Sequence, residues 1–127
     1  MDSIQKIFVD KEKNMVKLFN NKQIDSILEY FDNDFVGFSS TKHDRITKKS
    51  QLKKTFLHYL EEGDPVNFSI KNIKADILGE CALTTYYWQV DIHKKKKVKT
   101  LTGRASHVFM QKGDDWKIVH EHFSKAQ

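Results

Sequence analysis

The stretch GRASHVFMQKGDDWKIVHEHFS, residues 103–124, decides how this 127-residue chain is read. It describes two long strands joined by a tight turn. Lys112-Gly113-Asp114-Asp115 supplies the turn, because glycine tolerates positive φ and aspartate side chains bond their own backbone there. Val108, Phe109 and Met110 before it, and Trp116, Ile118 and Val119 after it, favour extended backbone. Strict alternation puts Trp116, Ile118, His120 and His122 on one face, and Lys117, Val119, Glu121 and Phe123 on the other. If the two strands pair across the turn, Glu121 lies opposite His107 or Ala105. Both faces carry apolar groups, so both are expected to be covered.

Upstream, the period is helical. Ile4, Ile7, Phe8, Met15, Leu18 and Phe19 predict a helix over residues 2–20, with Lys11, Glu12 and Lys13 on its wet side. Ile24, Ile27, Leu28 and Phe31 predict a second over 22–31. A short strand over 35–39 and a polar loop over 40–47 follow. Leu52, Phe56, Tyr59 and Leu60 then mark a third helix, which Pro65 prevents from continuing. After Pro65 the period becomes two. Val66, Phe68 and Ile70 alternate with one parity, and Ile73, Ala75 and Ile77 with the other, so a β-bulge is expected near Lys71-Asn72. Cys81–Ile92 carries large groups on both faces and reads as an interior strand. Helices followed by consecutively paired strands predict an α+β domain, residues 1–127, with the helices packed on one sheet face.

Composition narrows the function. Nine Phe, four Tyr and two Trp argue against disorder. The lone Cys81 excludes an internal disulfide and suits a reducing, cytoplasmic setting. No apolar run approaches a membrane span, and no secretory leader is read at the N-terminus. Lys94–Lys97 supply four of the five excess positive charges, so the basic excess is local. No aromatic platform flanks that run, and neither nucleic acid nor membrane is read as a partner. Gly-rich phosphate loops, the G-x-S-x-G elbow and H-E-x-x-H are all missing, and no cofactor is indicated. His120 and His122 could share one metal, but no further His/Cys pair stands at ligand spacing. They are read as structural, and no metal is assigned.

The C-terminal pattern Trp116-x-Ile118-Val119-His120-x-His122-x-Ser124, after a strand with Arg104-x-Ser106-x-Val108, resembles the nuclear transport factor 2-like superfamily. Within it the pattern is similar to the SnoaL-like branch and to the association domain of calcium/calmodulin-dependent protein kinase II. The order of elements fits along nearly the whole chain. The resemblance implies a cone: a curved, mostly antiparallel sheet wrapped around three helices, with an open mouth. It implies a homodimer packed through the outer sheet face. It also implies a small organic molecule as ligand. The ketosteroid isomerases and polyketide cyclases of this superfamily act without cofactor, through a carboxylate base in an apolar pocket.

By the same resemblance Glu121 and Phe123 line the cone. His107 stands where the kinase association domain carries a cavity arginine, and Phe123 where it carries another. Glu121 and His107 are therefore the candidate catalytic pair, and equally a paired structural ion in a half-buried sheet. Phe38, Tyr59, Tyr86, Trp88 and Phe123 are the candidate ligand-cavity residues, or plain core. The function expected is small-molecule binding, with isomerase, cyclase or dehydratase chemistry, or else a non-catalytic association module.

Overall fold

The computed structural model describes residues 3–126. Its elements run α1 (Ser3–Asn20), α2 (Ile24–Leu28), β1 (Phe31–Ser39), β2 (Lys42–Ile46), α3 (Lys49–Leu60), β3 (Val66–Leu78), β4 (Cys81–Lys94), β5 (Lys97–Lys112) and β6 (Asp115–Lys125). The six strands form one sheet in the order β2-β1-β6-β5-β4-β3. All neighbours are antiparallel except β1 and β6, which run parallel. This is the mixed, curved α+β architecture expected. Residue 2, the expected helix start, lies outside the described residues.

Local chemistry explains where the elements stop. After Asn20, Lys22 takes a left-handed φ of 62°. The Gln23 amide then bonds Leu18 O at 2.8 Å and the Lys22 amide bonds Phe19 O at 2.9 Å. These two bonds are the Schellman closure that satisfies the last helical carbonyls. The second helix ends at Leu28, three residues short of expectation, and Phe31 opens β1 instead. Residues 42–46, expected to be loop, form β2. It is an edge strand exposed at every residue except Ile46, so no apolar alternation betrays it.

Two bulges set the facing of the sheet. One falls where the parity of β3 changes: the register with β4 slips between Lys71 and Lys74, and Asn72 has φ 55°. The other lies on β6. His107 pairs with Glu121 and Val108 with His120, but Phe109 pairs with Ile118, which leaves Val119 as the extra residue. The bulge carries Ile118 to the inner face alongside Glu121, where it is fully buried. Trp116 follows, with its ring edge-on to Phe8 of α1 at 5.1 Å. The expectation that Trp116 and Ile118 share a face with His120 and His122 is thus corrected: only the two histidines look outward.

The inner sheet face meets the helices. Ala82, Tyr86, Trp88, Val90 and Ile92 of β4 and Ala105 and Phe109 of β5 are buried at alternate positions. Phe8 packs on Phe109 with ring centroids 5.2 Å apart. Phe19 reaches Phe56 of α3 and Phe68 of β3. One aromatic core therefore ties α1 and α3 to the sheet, and the space left within it is a cavity.

Candidate functional site

His107 is the centre of the site. It points inward from β5, directly opposite Glu121 of β6. Its Nε2–H donates to Glu121 Oε2 at 2.7 Å, and its Nδ1–H donates to Glu12 Oε2 at 2.6 Å. Thr84 of β4, opposite His107 on the other side, donates its hydroxyl to the same Glu12 oxygen at 2.5 Å. All four side chains are buried.

Electrostatics fix the charge state of the imidazole. Burial alone would pull the His107 pKa down. The charge of Glu12, its hydrogen bond, and the hydrogen bond and charge of Glu121 outweigh that and raise it from 6.5 to about 10. At neutral pH His107 is an imidazolium held between two carboxylates. Tyr86, beside it, is pushed well above the ordinary phenol range by burial and then by the charges of Glu12 and Glu121.

The sequence reading missed Glu12, which it placed on the wet side of α1. The signal was present: Phe8, Glu12, Met15 and Phe19 are the buried stripe of that helix at i, i+4, i+7 and i+11. A carboxylate standing in an apolar stripe needs a buried partner, and His107 is that partner.

Each carboxylate uses only one oxygen in this network. Among the described residues, no protein donor reaches Oε1 of Glu12 or Oε1 of Glu121. Both residues line a narrow cavity of about 50 Å³ inside the cone. Tyr59, Tyr86, Trp88 and Phe123 line it too, with Phe19, Phe56 and Phe68 closing its apolar wall. Trp88 and Phe123 stack with centroids 5.8 Å apart, and the Trp88 indole N–H donates to Arg104 O at 3.2 Å. Tyr59 shares a 2.5 Å hydrogen bond with Ser40, and burial raises its pKa.

Phe38, expected in the cavity, is not there. It lies on the outer sheet face, where its ring meets His122 at 5.6 Å and the Arg45 guanidinium lies over it. Gly37 and Ser39 take the inward positions on either side, and because Phe35, Val36 and Phe38 fall on both parities the facing of this strand was assigned the wrong way round. His120 donates Nδ1–H to Val36 O at 2.9 Å on that same outer face. Both ring nitrogens of His107 are occupied by carboxylates. Among the described residues, no group of three or more His, Cys, Asp or Glu is placed to hold a metal ion. No helix of the described chain is long and apolar enough to cross a membrane.

Solved structures share this architecture. An NTF2-like protein of unknown function from Pseudomonas putida superposes with a TM-score of 0.83 at 17% identity, covering 96% of this chain and 86% of that one. The CaMKII hub of S. rosetta matches at 0.84 and 17%, covering 99% of each chain. A candidate dehydratase of the NTF2-like family from Streptomyces avermitilis matches at 0.81 and 11%, covering 99% and 98%. At such identities the likeness carries the fold alone. No curated protein matches the sequence. The SnoaL-like domain model matches residues 13–127, and the chain belongs to the SnoaL-like domain family.

Proposed function

We propose that the protein binds a small, partly apolar organic molecule in its cone and performs cofactor-free proton transfer on it, with Glu121 as general base. The observation that carries this reading is the free Oε1 of Glu121 in an aromatic cavity, while Oε2 is held by His107. A base needs one oxygen open to the substrate and an orientation fixed by its neighbours. In this reading Glu121 removes a proton from a carbon next to an activating carbonyl. It then returns a proton to another atom of the same molecule, which is an isomerisation. Proton return accompanied by loss of water would be a dehydration. The imidazolium of His107 titrates too high to be an efficient acid at neutral pH. His107 is a positioning residue, which orients both carboxylates. Glu12 and Thr84 lock it from behind. The single cysteine suits a cytoplasmic setting.

Solvent-deuterium incorporation tests the reading without a known substrate. The protein is incubated in D2O with a panel of small ketones, and exchange at the carbons beside the carbonyl is followed by NMR. Wild type is expected to accelerate exchange for some members, and Glu121→Gln to lose it by about 100-fold or more while staying folded. If wild type gives no exchange above background across the panel, the catalytic reading fails.

A second reading, a homodimeric association module, is favoured by one observation. Among the described residues no helix covers the outer sheet face, where Val36 and Tyr87 are 37% and 50% exposed and Val108 and Leu83 stand in one cross-strand row with Val36. The likeness to the S. rosetta hub points the same way. Sedimentation velocity at micromolar concentration tests it: a 30 kDa-class species, about twice the 15.0 kDa chain, is expected. A single monomer boundary would rule it out.

A further inference from the structure

We infer that the cavity selects molecules bearing a protonated amine, and that the carboxylate of Glu12 receives the ammonium group. This rests on the reading of the cone as a small-molecule site and names the class of molecule it takes.

The charge balance points there first. Glu12, Glu121 and His107 are the charged side chains lining the cavity among the described residues, and no lysine or arginine lines it. Two carboxylates face one imidazolium, so the buried cluster carries one negative charge in excess. An uncompensated buried charge is costly, and a bound cation offsets it. An anionic ligand would instead meet a like charge, and the cationic side chain on the wall, His107, already has both ring nitrogens on carboxylates.

Hydrogen bonding points the same way. Oε1 of Glu12 and Oε1 of Glu121 accept nothing from the described protein, and both residues reach the cavity. Ionised carboxylates only accept, so the complementary group must donate. An ammonium carries up to three N–H donors and forms the stronger, charge-assisted kind of bond.

The walls add a third observation. Phe31, Tyr86, Trp88 and Phe123 line the same cavity. Phe31, Tyr86 and Phe123 stand within about 6 Å of the His107 ring. Aromatic faces carry negative charge density and attract cations. The field that opposes ionisation of Tyr86, to which both glutamates contribute, is the field that favours a cation. At about 50 Å³ the space suits an ammonium with a short carbon chain rather than a drug-sized molecule.

The test compares three probes that share a short alkyl chain: propylammonium, 1-propanol and propionate. Each is titrated at neutral pH into 15N-labelled protein. The Trp88 indole and the His107 and Glu121 amides report on the cavity. Propylammonium is expected to bind at least about tenfold tighter than 1-propanol, and propionate to leave the cavity signals unmoved. Glu12→Gln and Glu121→Gln are each expected to remove most of that preference. If either variant fails to fold, the wild-type order of the three probes still decides. Should 1-propanol or propionate bind as tightly as propylammonium, the amine selectivity is wrong while the small-molecule reading stands. If no probe moves the cavity signals, both fall.

Discussion

Raising the pH should unfold this protein in a way that can be traced to His107. The folded imidazolium titrates near 10 rather than 6.5, because Glu12 and Glu121 hold its proton. A group whose folded pKa is raised contributes stability that is fully present below the unfolded value. That contribution is lost as pH rises through the folded value. The window therefore runs from pH 6.5 to about pH 10. At about 1.4 kcal/mol per unit, the loss amounts to several kcal/mol, up to about 5. Against a domain stability of roughly 5–15 kcal/mol this is large. Urea unfolding at steps across the window, followed by tryptophan fluorescence, measures it. Lysines and tyrosines also titrate near the upper end, so the comparison with Glu12→Gln isolates the effect. That variant removes the charge that does most to raise the His107 pKa. Its alkaline loss of stability should begin lower and be smaller in total. Wild type and Glu12→Gln falling in parallel, or neither falling, would refute the reasoning.

Four further outcomes are expected. Gly103→Ala should destabilise by about 1–3 kcal/mol in urea unfolding, since a Cβ there would stand 2.1 Å from Ser124 O and 2.3 Å from the Trp88 ring. Deleting Val119 should leave the protein folded at a cost below about 3 kcal/mol. Without that extra residue Ile118 and Glu121 stand two positions apart, so the ladder becomes regular and both still face inward. Changing Lys95 and Lys96 to Ser should move stability by less than about 0.5 kcal/mol. Changing Lys94 and Lys99 together should cost measurably more, because both stand within 4 Å of the Glu62 Oε2, a buried oxygen with no hydrogen bond.

Much of the fold could be read from local signals that tertiary packing did not override. The change of period after Pro65, the parity switch at Lys71-Asn72 and the Gly113 turn each have one physical cause, and each appears in the structure. The turn narrowed the partner of Glu121 to His107 or Ala105, and the bulge at Val119 sets it opposite His107. Where reading failed, the signal was local and the cause was distant. Val119 sits in a run whose residues suit either face, so nothing in the sequence marks its bulge. Residues 42–46 pair at the sheet edge and bury only Ile46, so their polarity reads as loop. Phe38 belongs to a strand whose apolar residues Phe35, Val36 and Phe38 fall on both parities, so alternation does not fix its facing. Glu12 looked like one more charge in Lys11-Glu12-Lys13. Its partner lies 95 residues away, and only the packing of α1 on the sheet brings them together.

Everything proposed for the cavity depends on His107 being an imidazolium clasped by two carboxylates. The ring 15N resonances of His107 test this most directly. The account predicts that at pH 8, above the 6.5 of an unperturbed imidazole and below about 10, both ring nitrogens carry protons. Both protons should exchange slowly and lie far downfield, as charge-assisted hydrogen bonds require. A neutral ring at that pH, with one nitrogen unprotonated, would contradict the account. It would undo the assignment of a cation between two carboxylates, and with it the oriented base at Glu121 and the basis for amine selectivity.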